Sequence, residues 1–364
     1  MFFLTGLNTS LFVDDFSEFY DSLNASNSTN FTTFRVDQKT QPCEAMVTSL
    51  LVNVGVCIFY VLVFLLAIPG NLIVGVVIVS SKQPLLPSDL YLLHLAVADI
   101  LLALTLPFWA VVAIQGWVLG NALCKLVSLV QEVTFYSSIL FLACISVDRY
   151  MVIVRAMETR RERRQARSWA ACVAVWTLGG ALSLPAFFST AFRPQGSERM
   201  VCAEHYDPDS ADQWRLATRL LRHSLGFVLP LSIMLSCYGV TAARLLRTRG
   251  FQKQRAMRVI VAVVAAFLLC WTPYHLALMA ETLLRARVLP NECAARASVD
   301  LATFAGQSLG LLHCCVNPVL YAFVGEKFRR NLLRLLHRKG VVERPSVPRA
   351  GRPASQSSDG TSVV

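Results

Sequence analysis

Charge is what this sequence has least of. Acidic and basic residues together fill only 16% of the 364 positions, against 55% for hydrophobic ones, and long blocks of the chain carry no charge at all. Uncharged runs cover residues 45–81, 168–192, 223–243, 259–280 and 301–325. Each reaches the ~20 residues that a helix needs to cross a bilayer, which excludes a soluble globular domain. Two further blocks, 90–122 and 125–147, qualify once one acid is admitted inside each, Asp99 in the first and Glu132 in the second. That makes seven segments, and the fold class expected is an all-α membrane protein, a seven-transmembrane helix bundle.

Catalytic motifs are missing as well. Neither an H-E-x-x-H helix nor a Walker loop is present, so metalloprotease and nucleotide-hydrolysing chemistry lack their residues. "GQSLG", Gly306 to Gly310, matches the pattern of a nucleophile elbow, but it lies midway along an apolar segment, where the strand, sharp turn and helix of an elbow cannot form. Its spacing suits close helix packing through small residues. Internal repeats of the kind expected in a transporter are absent. "MFFLTGLNTS" has no basic start and no long apolar core, so no cleavable signal peptide is expected and the first segment acts as its own insertion signal.

The charges that remain are unevenly placed. Lys and Arg number 23 in the connections after segments one, three, five and seven, against 11 in the N-terminal tail and the other three connections. By the positive-inside bias the N-terminus is extracellular and the C-terminus cytoplasmic, in a multi-pass plasma-membrane protein. The net charge of +11 then divides into roughly +16 inside, -3 outside and -2 in the membrane. The basic excess faces anionic lipid, and a nucleic-acid partner falls away. Four glycosylation sequons, at Asn8, Asn24, Asn27 and Asn30, all precede segment one, as an extracellular tail requires.

Of 11 cysteines, Cys43, Cys124, Cys202 and Cys293 lie at outer ends or loops, and four cysteines in an oxidising compartment allow three pairings. In one of them Cys124 with Cys202 ties the top of segment three to the second outer loop, leaving Cys43 with Cys293 to close the ring of helices. The ionisable groups at membrane depth are His94, Asp99, Glu132, His223, His275 and His313. Each is a functional candidate by its cost alone. Asp99 has no base near it in sequence and needs a polar partner on another helix, a water cluster or a cation; a sodium ion shared with Ser138 is the candidate, and no other cofactor is expected. Prolines at Pro107, Pro185, Pro230, Pro273 and Pro318 are expected to bend the helices.

Segment five opens with "WRLATRLLRH", whose Arg215, Arg219 and Arg222 are spaced four and three apart and so share one helical face. Such a stripe can receive an acidic group. Glu281, Arg285 and Asp300 are candidates for its rim. The tail before segment one carries Asp14, Asp15, Glu18 and Asp21 around Tyr20, a field that steers a basic protein inward. After segment seven, "GEKFRRNLLRLLHRKG" places Phe328, Leu332, Leu333, Leu335 and Leu336 near one face, an amphipathic helix lying on membrane lipid over 326–339. The domain plan is thus a glycosylated acidic tail (1–44), the bundle (45–325), the surface helix, and a Pro/Ser/Gly-rich disordered tail (340–364). That tail holds Ser346, Ser355, Ser357, Ser358, Thr361 and Ser362 as candidate phosphorylation sites and ends in a sequence suited to a PDZ protein.

Across its whole length the chain resembles the rhodopsin-like G-protein-coupled receptors. One mark falls in each segment: Asn71 in "PGNLIV", Asp99 in "LAVADILLA", Asp148, Arg149 and Tyr150 in "DRYMVIV", Trp176, Pro230, "CWTPY" with Trp271 and Pro273, and "NPVLY" with Asn317, Pro318 and Tyr321. "TLPFW" ending at Trp109, Trp117 in the first outer loop and the second cysteine pair resemble the chemokine receptors; "FLLCWTPYHL", "ACISVDRY" and "YAFVGEKFRRNLL" resemble the CXC receptors of the interleukin-8 type. The resemblance implies a basic CXC chemokine outside, of the class bearing Glu-Leu-Arg, and an inhibitory-class G protein inside, with arrestin reading the phosphorylated tail and neutrophil chemotaxis and calcium signalling as outcomes. Another chemokine or peptide ligand, or a non-signalling scavenger, is the alternative. The resemblance also implies that Asp148 holds Arg149 at rest, that Asp99, Trp271, Pro273, Asn317, Pro318 and Tyr321 take part in switching, that Tyr20 is sulfated, and that Trp109 lines the pocket. Where close relatives have Lys in segment three and Glu in segment seven, this chain has Gln131 and Gln307, read as an ion pair exchanged for neutral hydrogen bonds.

Overall fold

The computed structural model describes residues 49–80, 85–155, 161–194, 197, 199–207, 209–246, 251–286, 288, 292–324 and 326–338. Among these, seven helical stretches are long and apolar enough to cross a membrane. Four are α1 (Leu50–Val79), α2 (Pro87–Gln115), α3 (Gly120–Ile153) and α4 (Arg161–Leu182). The fifth span is α5 (Ala211–His223) and α6 (Leu229–Leu246), joined through a π-turn at Ser224–Val228; the sixth is α7 (Phe251–Arg285). α8 (Cys293–Leu311) and α9 (His313–Val324) make the seventh, and α10 (Glu326–Arg338) follows it.

The helix ends follow local chemistry. Pro87 occupies the first turn of α2, where its missing N–H is not needed, and the Asp89 carboxylate accepts the Leu86 N–H at 3.1 Å. Pro107, Pro273 and Pro318 lie inside helices, as does Pro69. Pro185 does not, since it opens the 3-10 turn Leu184–Phe188, and Pro230 is the second residue of α6, just after the π-turn. The charge-free run to Phe192 is therefore not one helix. It leaves α4 at Leu182 and ends as β1 (Ser189–Phe192), paired antiparallel with β2 (Val201–Glu204), Ala191 facing Cys202.

That hairpin is pinned to the outer end of α3. Cys202 is disulfide-bonded to Cys124, Asn121 accepts the Ala191 N–H at 2.7 Å, and Lys125 donates to the Phe187 carbonyl. The buried Trp117 donates its backbone N–H to the Met200 carbonyl and its indole N–H to Gly120, both at 2.8 Å. Gly116 before it has φ +77°, and a Cβ there would stand 2.8 Å from the Met200 oxygen, so only glycine serves.

Inside the bundle the sequence marks act as joints. Asn71 donates to the carbonyls of Ala67 and, across to the seventh span, Cys314. Trp176 of α4 donates to His94 Nδ1 of α2 at 3.2 Å. Gly306 and Gly310 set a tight seam, since added Cβ atoms would lie 2.7 Å from the Tyr274 backbone and 2.8 Å from the Trp271 ring. "GQSLG" is a packing motif. At the other end Phe328 of α10 packs against Val74, Ile78 and Ala96; Leu332, Leu335 and Leu336 are half-buried and Leu333 is exposed.

Candidate functional site

The arginine stripe of α5 meets acids from two other spans. Arg219 is buried and its guanidinium lies 2.5 Å from Glu281 of α7. One turn deeper, Arg222 pairs with Glu132 of α3 at 2.6 Å and donates to the Tyr274 hydroxyl of α7 at 2.9 Å. Arg215 stands at the outer end, half-buried, with the carboxylate of the exposed Asp212 at 3.8 Å. The expected stripe exists, but its two inner members are neutralised from within the protein. Isolated charges in this interior would be prohibitive, and each pair offsets part of that cost for both partners.

Glu204 at the end of β2 lines a small pocket with Glu132, Tyr136, Ser183, Thr218 and Arg222. It accepts a hydrogen bond from Tyr206 at 2.9 Å. Burial pushes its carboxyl up to about 7, with Glu132 adding to the rise and Arg222 opposing it.

Below the ion pairs the aromatic floor begins. Trp271 meets Phe135 edge to face at 4.7 Å between ring centroids, and His313 lies beneath it at 5.2 Å. Asp99 is fully buried; it accepts from Asn317 Nδ2 at 2.8 Å and from Ser138 Oγ at 3.2 Å, with His313 Nε2 at 3.5 Å. Of the partners expected for Asp99, polar side chains on other helices are what surrounds it. A sodium ion does not fit these residues well. Only Ser138 adds an oxygen to the carboxylate, while Asn317 presents an N–H donor and His313 a ring nitrogen, and hard cations favour oxygen.

Other expectations fare unevenly. Trp109 is buried. Gln131 is buried and Gln307 half-buried, yet no hydrogen bond joins them, and Gln131 Oε1 has no hydrogen-bond partner. Their neutral bond is thus corrected to two separate amides. Asp300 is half-buried on α8; Arg285 ends α7, and its side chain, like that of Tyr321, lies outside the described residues. Pro273 is exposed within α7, and Pro318 packs beside Gly70. Cys293 is disulfide-bonded, but Cys43 lies outside the described residues. So do the tail residues Asp14, Asp15, Glu18, Tyr20 and Asp21, the four sequons and the six phosphorylation candidates.

At the inner end the pairing differs from expectation. Asp148 does not hold Arg149; it pairs with Arg164 of α4 at 2.9 Å. Arg149 is exposed, with no ion pair among the described residues, and Tyr150 accepts from Arg155 at 3.5 Å. The reason is helical: neighbours in sequence point about 100° apart and do not face each other. Glu132 and His313 were candidates by their depth alone, with no partner assigned, and Tyr274, Glu204 and Arg164 were not singled out as site residues. For Glu132 a signal was present, because an acid at that depth requires a base.

Residues 70–321 match the family model for the 7 transmembrane receptor (rhodopsin family). The chain is 46% identical to C-X-C chemokine receptor type 1 of Oryctolagus cuniculus over 329 residues, 90% of this chain and 91% of that relative. It is 44% identical to C-X-C chemokine receptor type 2 of Homo sapiens over 345 residues, covering 94% of each. Against C-X-C chemokine receptor type 1 of Homo sapiens the figure is 46% over 314 residues, 86% of this chain and 89% of the relative. With seven spans of the right length around a buried polar axis, the chain is a multi-pass membrane receptor and not an enzyme, and it belongs to the rhodopsin family of seven-transmembrane receptors, in the group of the C-X-C chemokine receptors.

Proposed function

We propose that this receptor takes a basic CXC chemokine of the Glu-Leu-Arg class from the extracellular side and activates an inhibitory-class G protein inside, driving neutrophil chemotaxis and calcium release. The observation that carries the reading is the α5 stripe: Arg215, Arg219 and Arg222 run inward along one face, each lying near a carboxylate (Asp212, Glu281 and Glu132) and so chemically suited to one from a ligand. The acidic tail before α1 supplies the longer-range attraction for a basic protein.

From the stripe a line of contacts leads inward. Arg222 bonds Tyr274, Tyr274 and Trp271 are neighbours on α7, Trp271 touches Phe135 and His313, and His313 adjoins Asp99 and Asn317. A shift of Arg222 therefore bears on the proline-containing helices that carry "CWTPY" and "NPVLY". At the inner end the exposed Arg149 is available to a G protein, and the basic second and third loops favour both that partner and anionic lipid. Arrestin at the phosphorylated tail and a PDZ protein at its last residues complete the partners. The N-terminus is placed outside by the charge bias.

The test is inhibition of cyclic AMP in cells expressing this chain, challenged with CXC chemokines with and without Glu-Leu-Arg, beside Arg149→Ala. The reading expects a response to the Glu-Leu-Arg ligands that is lost in Arg149→Ala. Binding without a response in the intact receptor would make it a scavenger.

A further inference from the structure

We infer that His223 and His275 form a binding site for a divalent transition-metal ion of the zinc class, which joins the fifth span to the sixth. The inference rests neither on the choice of chemokine nor on the G protein.

The two imidazoles face each other across a helix seam. His223 is the last residue of α5, and His275 lies inside α7, ten residues before its end at Arg285. Their Nδ1 atoms stand 3.1 Å apart, with ring centroids 5.1 Å apart and ring planes at 55°. The residues just before them, Arg222 and Tyr274, are hydrogen-bonded to each other at 2.9 Å. That bond holds the two helices at a set spacing, so the histidines are brought together by the backbone and not only by their own contact. Phe227 stacks on His275 at 4.4 Å and Tyr274 meets it edge to face at 5.1 Å, which restrains the ring.

A purely structural role leaves this pair poorly satisfied. A neutral imidazole has one N–H and one lone pair, and a buried polar atom without a partner is costly. Here one Nδ1 donates to the other, while both Nε2 atoms are buried with no hydrogen-bond partner among the described residues. His275 is only 4% exposed. Two buried rings share one hydrogen bond, where buried histidines ordinarily find partners for both nitrogens.

A metal ion uses both facing nitrogens. Zinc held tetrahedrally by imidazoles at about 2.0–2.1 Å places neighbouring donor atoms about 3.3 Å apart. The observed 3.1 Å is within a few tenths of an ångström of that, and the soft χ2 torsion of histidine covers the difference. No net proton is released: the one between the rings moves to Nε2 of the ring that carried it, both imidazoles stay neutral, and each Nδ1 turns a lone pair to the ion. No third His, Cys, Asp or Glu joins the pair among the described residues, so water and an anion from solution fill the other positions, the anion offsetting charge. The neighbouring cations are not bare, since Arg222 is paired with Glu132 and Arg219 with Glu281. Two nitrogen donors select zinc, copper or nickel against magnesium and calcium, which take oxygen. An ion held by both rings ties α5 to α7 and stabilises the folded receptor, as any ligand of the native state does.

The test uses full-length receptor purified without a histidine tag, with Zn²⁺ as the ligand and Co²⁺ as its spectroscopic stand-in. Zn²⁺ is expected to raise the unfolding temperature of the wild type where Mg²⁺ does not, and Co²⁺ to give the visible absorption of a tetrahedral site. Partners that merely orient a metal ligand are worth about 10–100-fold in affinity. Loss of a ligand itself, in His223→Gln or His275→Gln, should therefore weaken Zn²⁺ binding by at least about tenfold. His223→Cys supplies a thiolate in place of the imidazole and should bind Zn²⁺ again, a recovery that a packing role for the ring would not give. His94→Gln and His205→Gln, away from the pair, should bind as the wild type does. A wild type that Zn²⁺ does not stabilise overturns the inference. Binding that survives both Gln variants places the ion elsewhere, as at His313 and Asp99, and overturns it too. If the Gln variants are too unstable to purify, His223→Cys decides: failure to bind Zn²⁺ overturns the inference, and a sulfur-to-cobalt charge-transfer band supports it.

Discussion

The two ends of the bundle hold their charges in opposite ways. At the outer end Arg219–Glu281 and Arg222–Glu132 are closed pairs, with side chains between 5% and 14% exposed, and each joins two different spans. At the inner end Asp148–Arg164 is open on one side: Arg164 is 32% exposed while Asp148 is 10% exposed, and Arg149 beside it has no ion pair among the described residues. A buried pair is expensive to break because a stranded charge remains, whereas an exposed pair exchanges with water at little cost. The outer end is built to change only when a matching charge arrives. The inner end is built to rearrange freely around a partner.

Removing one member of an outer pair is the strongest way to break the contrast. Glu132→Ala leaves Arg222 buried with its anion gone, and a loss of about 3–5 kcal/mol is expected, read as a fall in the thermal unfolding temperature of purified receptor. Replacing both members by apolar residues of similar size, Glu132→Leu with Arg222→Met, should return most of that loss. A double variant as unstable as the single one would mean that packing, not charge pairing, sets the outer end.

Glu204 sharpens the outer half of the comparison through pH. Its folded pKa, about 7, is raised above an ordinary carboxyl near 4.5. A raised carboxyl contributes stability that is complete below the ordinary value and is lost as pH rises through about 7. The window from 4.5 to 7 corresponds to at most about 3 kcal/mol. Unfolding temperature should therefore fall between pH 5 and pH 8 more steeply in the wild type than in Glu204→Gln. Parallel pH profiles would remove Glu204 from the account.

How much of this was legible in the sequence depends on what lipid demands. Spans were legible because a helix in hydrocarbon tolerates few charges, and the arginine stripe because helical spacing puts residues 215, 219 and 222 on one face. The end of the fourth segment was not. Hydropathy reports solubility in apolar surroundings, and "STAF" suits a half-buried strand paired with β2 as well as it would suit lipid. The partners of the arginines were hidden by distance, since Glu281 lies 62 positions from Arg219 and Glu132 lies 90 from Arg222. Adjacency misled in the case of Asp148 and Arg149, where helical geometry turns the side chains apart. "GQSLG" was read as packing on spacing alone, and the contact with Tyr274 and Trp271 bears this out.

That contact supplies a middle case between the two ends, a joint with no charge at all. In Gly306→Ala the new Cβ would meet the Tyr274 backbone at 2.7 Å, and backbone cannot swing aside as a side chain can. Overpacking of this kind costs about 1–3 kcal/mol. Reduced surface expression with a lowered unfolding temperature is expected. At Gly180, where nothing lies within 4 Å of an added Cβ, alanine should be neutral or better.

The smallest effect on stability belongs to the inner pair, and its smallness is the point. Asp148→Asn removes the charge that meets Arg164 while keeping the shape, and with Arg164 32% exposed the change should stay within about 1 kcal/mol. Unfolding temperature would barely move. Signalling would move more, because Arg164 sits in the first turn of α4 and its tie to Asp148 holds the start of α4 against the end of α3 that carries Arg149. Loosening that tie alters the surface a G protein meets without touching the ligand mouth. Asp148→Asn should change basal inhibition of cyclic AMP while chemokine affinity stays as it was. If instead Asp148→Asn destabilises the receptor as much as Glu132→Ala does, the inner end is as closed as the outer one, and the division of labour between the two ends is wrong.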